Sequence, residues 1–118
     1  MKKNVFAFAA LALLSCSATV AHAGRLAWSG RVDGVTVIRI HGRDVSTQVI
    51  SGKGVENERY FVTGSLHRGV FGVRLMDVAG RGRVHLVRRP GRFGGNTVAV
   101  RISDPQPGNA PYHFTLTW

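Results

Sequence analysis

Cysteine occurs once in this 118-residue chain, at Cys16, so no internal disulfide can form and stability has to come from a packed core. Long apolar runs are missing too: the only one, Val5 to Leu14, covers about ten residues, whereas a spanning helix needs roughly 20. No transmembrane segment is therefore expected. Lysine is scarce, with Lys2, Lys3 and Lys53 set against thirteen arginines, a bias that a GC-rich genome produces without any ligand. Acids are scarce as well: Asp33, Asp44, Glu56, Glu58, Asp77 and Asp104 are the whole set. Sustained helical periodicity is absent, which speaks against any helical architecture.

What is present begins with a leader. Residues 1–23, MKKNVFAFAALALLSCSATVAHA, put Lys2 and Lys3 ahead of the apolar run and end in the small-x-small site Ala21-His22-Ala23. That is the pattern of a secretory signal peptide cleaved after Ala23, so the protein is expected to be exported, periplasmic or extracellular. A rival reading uses the same residues. Leu13-Leu14-Ser15-Cys16 resembles the lipobox of bacterial lipoproteins, in which a lipidated Cys16 would tether the domain to a membrane. Leu14 stands where a small residue is usual, and Ala-His-Ala is the better match. Residues 24–118 remain after cleavage, enough for one small domain and not for two.

Once Lys2 and Lys3 leave with the leader, fourteen basic residues face six acids, a net charge of +8. A field of that sign attracts polyanions. Outside the cytoplasm these are envelope phosphates, acidic polysaccharides or released DNA, so no specific nucleic-acid partner is expected. The arginines run from Arg25 to Arg101 without forming one block, which also suits an ordinary solvated surface.

Period-two alternation recurs along the chain and glycines cut it into short segments, the pattern of strands and turns. At the C-terminus Tyr112, Phe114, Leu116 and Trp118 alternate with His113, Thr115 and Thr117, a half-buried strand. Before it, Val98, Val100 and Ile102 face inward against Thr97, Ala99 and Arg101. The proline-bearing stretch 104–111 connects the two. Near the start, Asp33-Gly34 lies between two β-rich runs and predicts a type I′ hairpin, with Val32 opposite Val35 and Trp28 opposite Arg39. Weaker strands are expected at 45–50, 59–66, 70–78 and 83–89, joined by turns at Gly52-Lys53-Gly54, His67-Arg68-Gly69 and 79–82. The sum is an all-β domain of about eight strands, a small antiparallel β-sandwich or a partly open barrel.

Residues 80–95, GRGRVHLVRRPGRFGG, hold five arginines: Arg81, Arg83, Arg88, Arg89 and Arg92. Alternation sends Val84 and Leu86 inward and Arg83, His85, Val87 and Arg89 outward; Arg88 shares the inward parity and is expected at the strand end. If 83–89 and 97–103 pair as a hairpin, Arg101 joins Arg83, His85 and Arg89 on one outer face, with Arg92 at the loop tip. Arg83, Arg89, Arg92 and Arg101 are the candidate anion-binding residues. Arginines on an edge strand also keep a sheet from pairing with other chains, whether or not they bind anything. Arg92-Phe93-Gly94-Gly95 resembles one unit of an RGG tail, but such tails repeat the unit and lack β alternation.

Catalytic constellations are wanting. There is no Gly-x-Ser-x-Gly elbow and no His-Glu-x-x-His, and the acids mostly sit beside predicted turns (Asp33, Asp44 and Asp104), with Glu56 and Glu58 in a polar connection. His41, His67, His85 and His113 fall in separate segments without paired spacing, so neither metal nor cofactor is expected. A small hydrolase would have to be built from Asp77, His85 and Ser103. Trp28 and Trp118 are the candidates for a carbohydrate platform, although their apolar neighbours favour core packing.

Trp28-Ser29-Gly30-Arg31-Val32-Asp33-Gly34, Gly80-Arg81-Gly82-Arg83-Val84 and Tyr112-His113-Phe114-Thr115-Leu116-Thr117-Trp118 together resemble small exported bacterial proteins of unassigned activity. The segment from Val84 through Pro90 and Asn96 to Leu116 is loosely similar to the closing strands of bacterial pre-peptidase C-terminal domains. That resemblance implies a β-sandwich with an accessory role and carries over no functional residue. The expected function is a non-catalytic binding or structural module, for an envelope polyanion or for an exported protein partner, in an oligomeric state that the sequence leaves open. A carbohydrate-binding module is the alternative.

Overall fold

The computed structural model describes residues 24–66, 72–90 and 97–118. The expected leader over 1–23, with Cys16 and the expected cleavage site after Ala23, lies outside the described residues, as do the expected 67–69 turn, Arg92 and the rest of its RGG-like unit. The described chain is all-β. Its strands are β1 (Arg25–His41), β2 (Asp44–Thr63), β3 (Arg74–Ala79), β4 (Arg83–Arg88), β5 (Thr97–Asp104) and β6 (Ala110–Thr117). All belong to one antiparallel sheet, nearly closed into a barrel, so of the two expected architectures the partly open barrel is the one seen. Among the described residues no helix is long and apolar enough to cross a membrane.

Six strands stand where about eight were expected because two pairs of segments fuse. Asp33-Gly34 does not turn the chain. Gly34 takes the positive φ that the dipeptide favours, +84°, yet inside β1, and the hairpin comes at Gly42-Arg43, with His41 paired to Asp44. Running straight on lets β1 pair with β2 along one side and with β6 and then β5 along the other, so its backbone groups are bonded on both sides. The expected Trp28–Arg39 pairing is lost with the hairpin: Trp28 pairs with Tyr60 and Phe114 instead. Likewise 44–63 is one strand. Its polar middle, with Gly52-Lys53-Gly54 and Glu56, is bulged strand rather than a connection, because β2 carries 20 residues against 17 in β1 and the surplus appears as three register shifts.

These irregularities fall on one line across the sheet. In β2 they lie around Gly52, Gly54 and Asn57; in β1 at Asp33-Gly34; between β5 and β6 at 105–109; between β3 and β4 at 80–82. β5 and β6 lie end to end along β1, and β3 and β4 end to end along β6 and β5. The sheet bends along this line. Thr47 and Glu58 are eleven residues apart on β2, about 35 Å in a straight strand, yet Thr47 Oγ1 donates to Glu58 Oε2 at 2.6 Å. Leu66 N reaches Gly42 O at 3.0 Å, and Arg89 Nη1 reaches Val73 O at 2.8 Å. Bulges and glycines are how an antiparallel sheet turns such a corner. A Cβ on Gly34 would stand 2.2 Å from the Ser51 carbonyl oxygen, so only glycine fits there.

The bend encloses the core. Leu26, Trp28 and Val32 from the first half of β1 face Ile38 and Ile40 from its second, with Val98, Val100 and Ile102 of β5 and Tyr112, Phe114, Leu116 and Trp118 around β6. The inward residues read from both C-terminal strands are buried as expected, but Ala99 of β5, read as outward, is buried as well. Trp28 stacks on Phe114 at 5.4 Å between centroids, and its Nε1 donates to Glu58 Oε2 at 2.8 Å. β6 departs from a half-buried strand: Thr115 and Thr117 are buried too, because β1 and β3 flank it on both sides.

Candidate functional site

The hairpin expected between 83–89 and 97–103 forms. β4 pairs with β5 so that Arg83 faces Ser103, Val84 faces Ile102, His85 faces Arg101 and Leu86 faces Val100. A register shift between Leu86 and Arg88 then sets Arg88 opposite Ala99, whose side chain is on the outer face. The inward parity expected of Arg88 is thereby reversed, since a bulge adds one residue to the alternation. Arg83, His85 and Arg101 share that face. One strand further on, β1 sets Arg39 beside Ala99, with its Nη1 donating to Gln48 Oε1. Arg39 was missed in the sequence because the supposed Asp33-Gly34 hairpin pointed it at Trp28.

The five arginines of residues 80–95 have different fates. Arg81, although exposed, is tied into the fold: its Nε and Nη2 form a fork on Asp104, at 2.7 and 2.8 Å, and Nη2 also reaches the carbonyls of Gln106, Pro107 and Gly108 at 3.0–3.3 Å. It pins the 105–109 excursion at the bend. Arg83 is exposed and has no partner among the described residues. Arg88 lies on the outer face and is engaged by a contact of its own. Arg89 caps the chain ahead of β3 through the Val73 carbonyl. Of the four candidate anion ligands, then, Arg83 and Arg101 are diagonal neighbours on one face, Arg89 is turned partly to a structural bond, and Arg92 lies outside the described residues.

Around Asp104 the ion pair is supported from a third side. Tyr112 OH donates to Asp104 Oδ1 at 2.9 Å and accepts from Gly82 N at 2.9 Å. The Arg81 fork, aided by the Tyr112 hydroxyl, holds the Asp104 carboxyl below the usual carboxylate range against the opposing pull of burial. Burial, reinforced by the hydrogen bond to Asp104, pushes the Tyr112 phenol up. Asp104 was read as an ordinary turn carboxylate; its partners lie 8 and 23 residues away in sequence and meet it only through the sheet.

Asp77 stands on β3, whereas His85 and Ser103 stand on β4 and β5 beyond the bend, so the three do not form a pairing row. Trp28 and Trp118 are both buried, and neither offers a carbohydrate platform. His41, read without a role, bonds Thr97 Oγ1 through Nδ1 at 2.8 Å. No protein-family model, curated protein or solved structure matches this chain.

Proposed function

We propose that the protein is a non-catalytic, exported binding module for envelope polyanions, held by Arg83 and Arg101 with Arg39 and His85 beside them. The observation that supports this reading is their common outer face. His85 is the direct cross-strand neighbour of Arg101, Arg83 is its diagonal neighbour, and Arg39 lies one strand on. The acids around this face are engaged or distant: Asp104 is taken by Arg81, Asp33 accepts from Lys53 N, and Asp44 stands at the far end opposite His41. Like charges so placed repel one another, and a multiply charged anion spanning them relieves that repulsion.

The experiment is binding of the purified protein to lipopolysaccharide and to a DNA duplex across a salt series. Polyanion binding falls steeply with salt, and Arg83→Ser with Arg101→Ser reduces the DNA salt slope by roughly 2, leaving stability within about 0.5 kcal/mol because both side chains are exposed. Binding indifferent to salt and to both substitutions sinks the reading.

A further inference from the structure

On the first half of the sheet, three depressions run into one another because they share lining residues. The largest, about 630 Å³, is lined by Ser29, Arg31, Pro111 and His113 beside Gly80 and Arg81. A second, about 190 Å³, shares Ser29 and His113 and runs on to Arg59, Tyr60 and Phe61. A third, about 530 Å³, shares Ser29, Arg31 and Pro111 and again includes Arg59. The register explains the continuity. Arg59, Ser29 and His113 lie directly opposite one another across β2, β1 and β6, so Arg59 and His113 stand about 10 Å apart across Ser29.

The groove is cationic along its floor and aromatic at one end. Arg31 is aimed by Asn109, whose Oδ1 accepts from Nε at 2.9 Å and whose carbonyl accepts from Nη2 at 3.4 Å; Nη1 carries no bond among the described residues. Arg59 is exposed and has no partner among the described residues. The acids close by are occupied: Glu56 by Asn109 Nδ2 at 3.0 Å, Glu58 by Trp28 Nε1 and Thr47 Oγ1, and Asp104 by Arg81 and Tyr112. At the far end Phe61, on the same face of β2 as Arg59, is 69% exposed, whereas Tyr60 leaves on the other face opposite Trp28. A compact inorganic anion would leave the Phe61 ring unused, and a neutral glycan would leave the guanidiniums unused. A chain of sugar rings bearing carboxylates uses both, since arginine forks pair with carboxylates and aromatic faces receive the C–H faces of pyranoses.

We propose that this groove binds an acidic oligosaccharide of the uronate type, with carboxylates at Arg31 and Arg59 and a ring against Phe61. The site is separate from the Arg83–Arg101 face and stands or falls apart from it. The test is calorimetric titration of the purified protein with hexagalacturonate, neutral maltohexaose and a single-stranded oligonucleotide, repeated for Arg59→Ser, Phe61→Ser and the Arg83→Ser/Arg101→Ser double variant. Arg59 and Phe61 are both exposed, so these substitutions spare the core, and unchanged unfolding curves check it. Hexagalacturonate is expected to bind, with maltohexaose at least tenfold weaker and each groove substitution costing roughly tenfold, while the double variant stays within about twofold. Equal affinity for maltohexaose, no binding of hexagalacturonate, or indifference to Arg59→Ser and Phe61→Ser overturns the inference. Loss of hexagalacturonate binding only in the double variant overturns the groove and leaves the polyanion face standing. Oligonucleotide binding that falls in step with hexagalacturonate in the groove variants overturns the uronate assignment in favour of a phosphate-binding groove.

Discussion

Tyr112→Phe deletes one oxygen from the bend and nothing else. The ring is 2% exposed and stays in the core, so no cavity opens. What is lost is a hydrogen bond donated to the Asp104 carboxylate and one accepted from Gly82 N, both 2.9 Å. A bond to a charged group contributes about 1.5–3 kcal/mol, and an unpaired backbone N–H adds about 1, which together make roughly 3 kcal/mol. For a domain of this size that lowers Tm by roughly 10–20 °C. Thermal and urea unfolding, followed by the fluorescence of the buried Trp28 and Trp118, reads the loss. The pH dependence carries a second signature. Asp104 has a native pKa below its unfolded value, so its contribution is complete above about pH 4 and drains away as pH falls through the native value. Removing the hydroxyl removes one of the groups that hold that pKa down. The gap between wild type and variant therefore narrows on the acid side. Tyr112 has a raised native pKa, so its contribution is full below about pH 10 and is lost as pH rises through the native value; the variant lacks that alkaline step. A loss under about 0.5 kcal/mol at pH 7, or a gap that stays constant into acid, refutes the clamp.

Gly34→Ala is expected to cost at least about 2 kcal/mol, since alanine resists the positive φ and its Cβ meets the Ser51 carbonyl; a Tm unchanged within error would show that the bend does not need glycine. Glu58→Ala strips the acceptor from both Trp28 Nε1 and Thr47 Oγ1 and is expected to cost about 2 kcal/mol, with increased urea sensitivity and a shifted Trp28 emission as the readout. The Arg83/Arg101 and Arg59/Phe61 substitutions complete the set, and both leave stability near the wild-type value while changing binding.

The sequence by itself determined the class of fold and the inward faces of the C-terminal strands. Tyr112, Phe114, Leu116 and Trp118 are legible because alternation is a local property: successive side chains leave a strand on opposite faces whatever lies beside it. The β4–β5 hairpin was legible for the same reason, as two alternating runs joined by a glycine- and proline-rich loop. Only the tertiary structure decided what the special positions do. Asp33-Gly34 prefers positive φ in a turn and in a bulge alike, and the choice fell to β5 and β6, which bond the continuous strand from far along the chain. Arg81 reads as one more arginine of a basic stretch until the bend brings Asp104 within 2.7 Å. Arg59, Ser29 and His113 share a row only because β2 and β6 flank β1. Such juxtapositions are set by pairing between distant segments, and side-chain period alone does not encode which strand will be the neighbour.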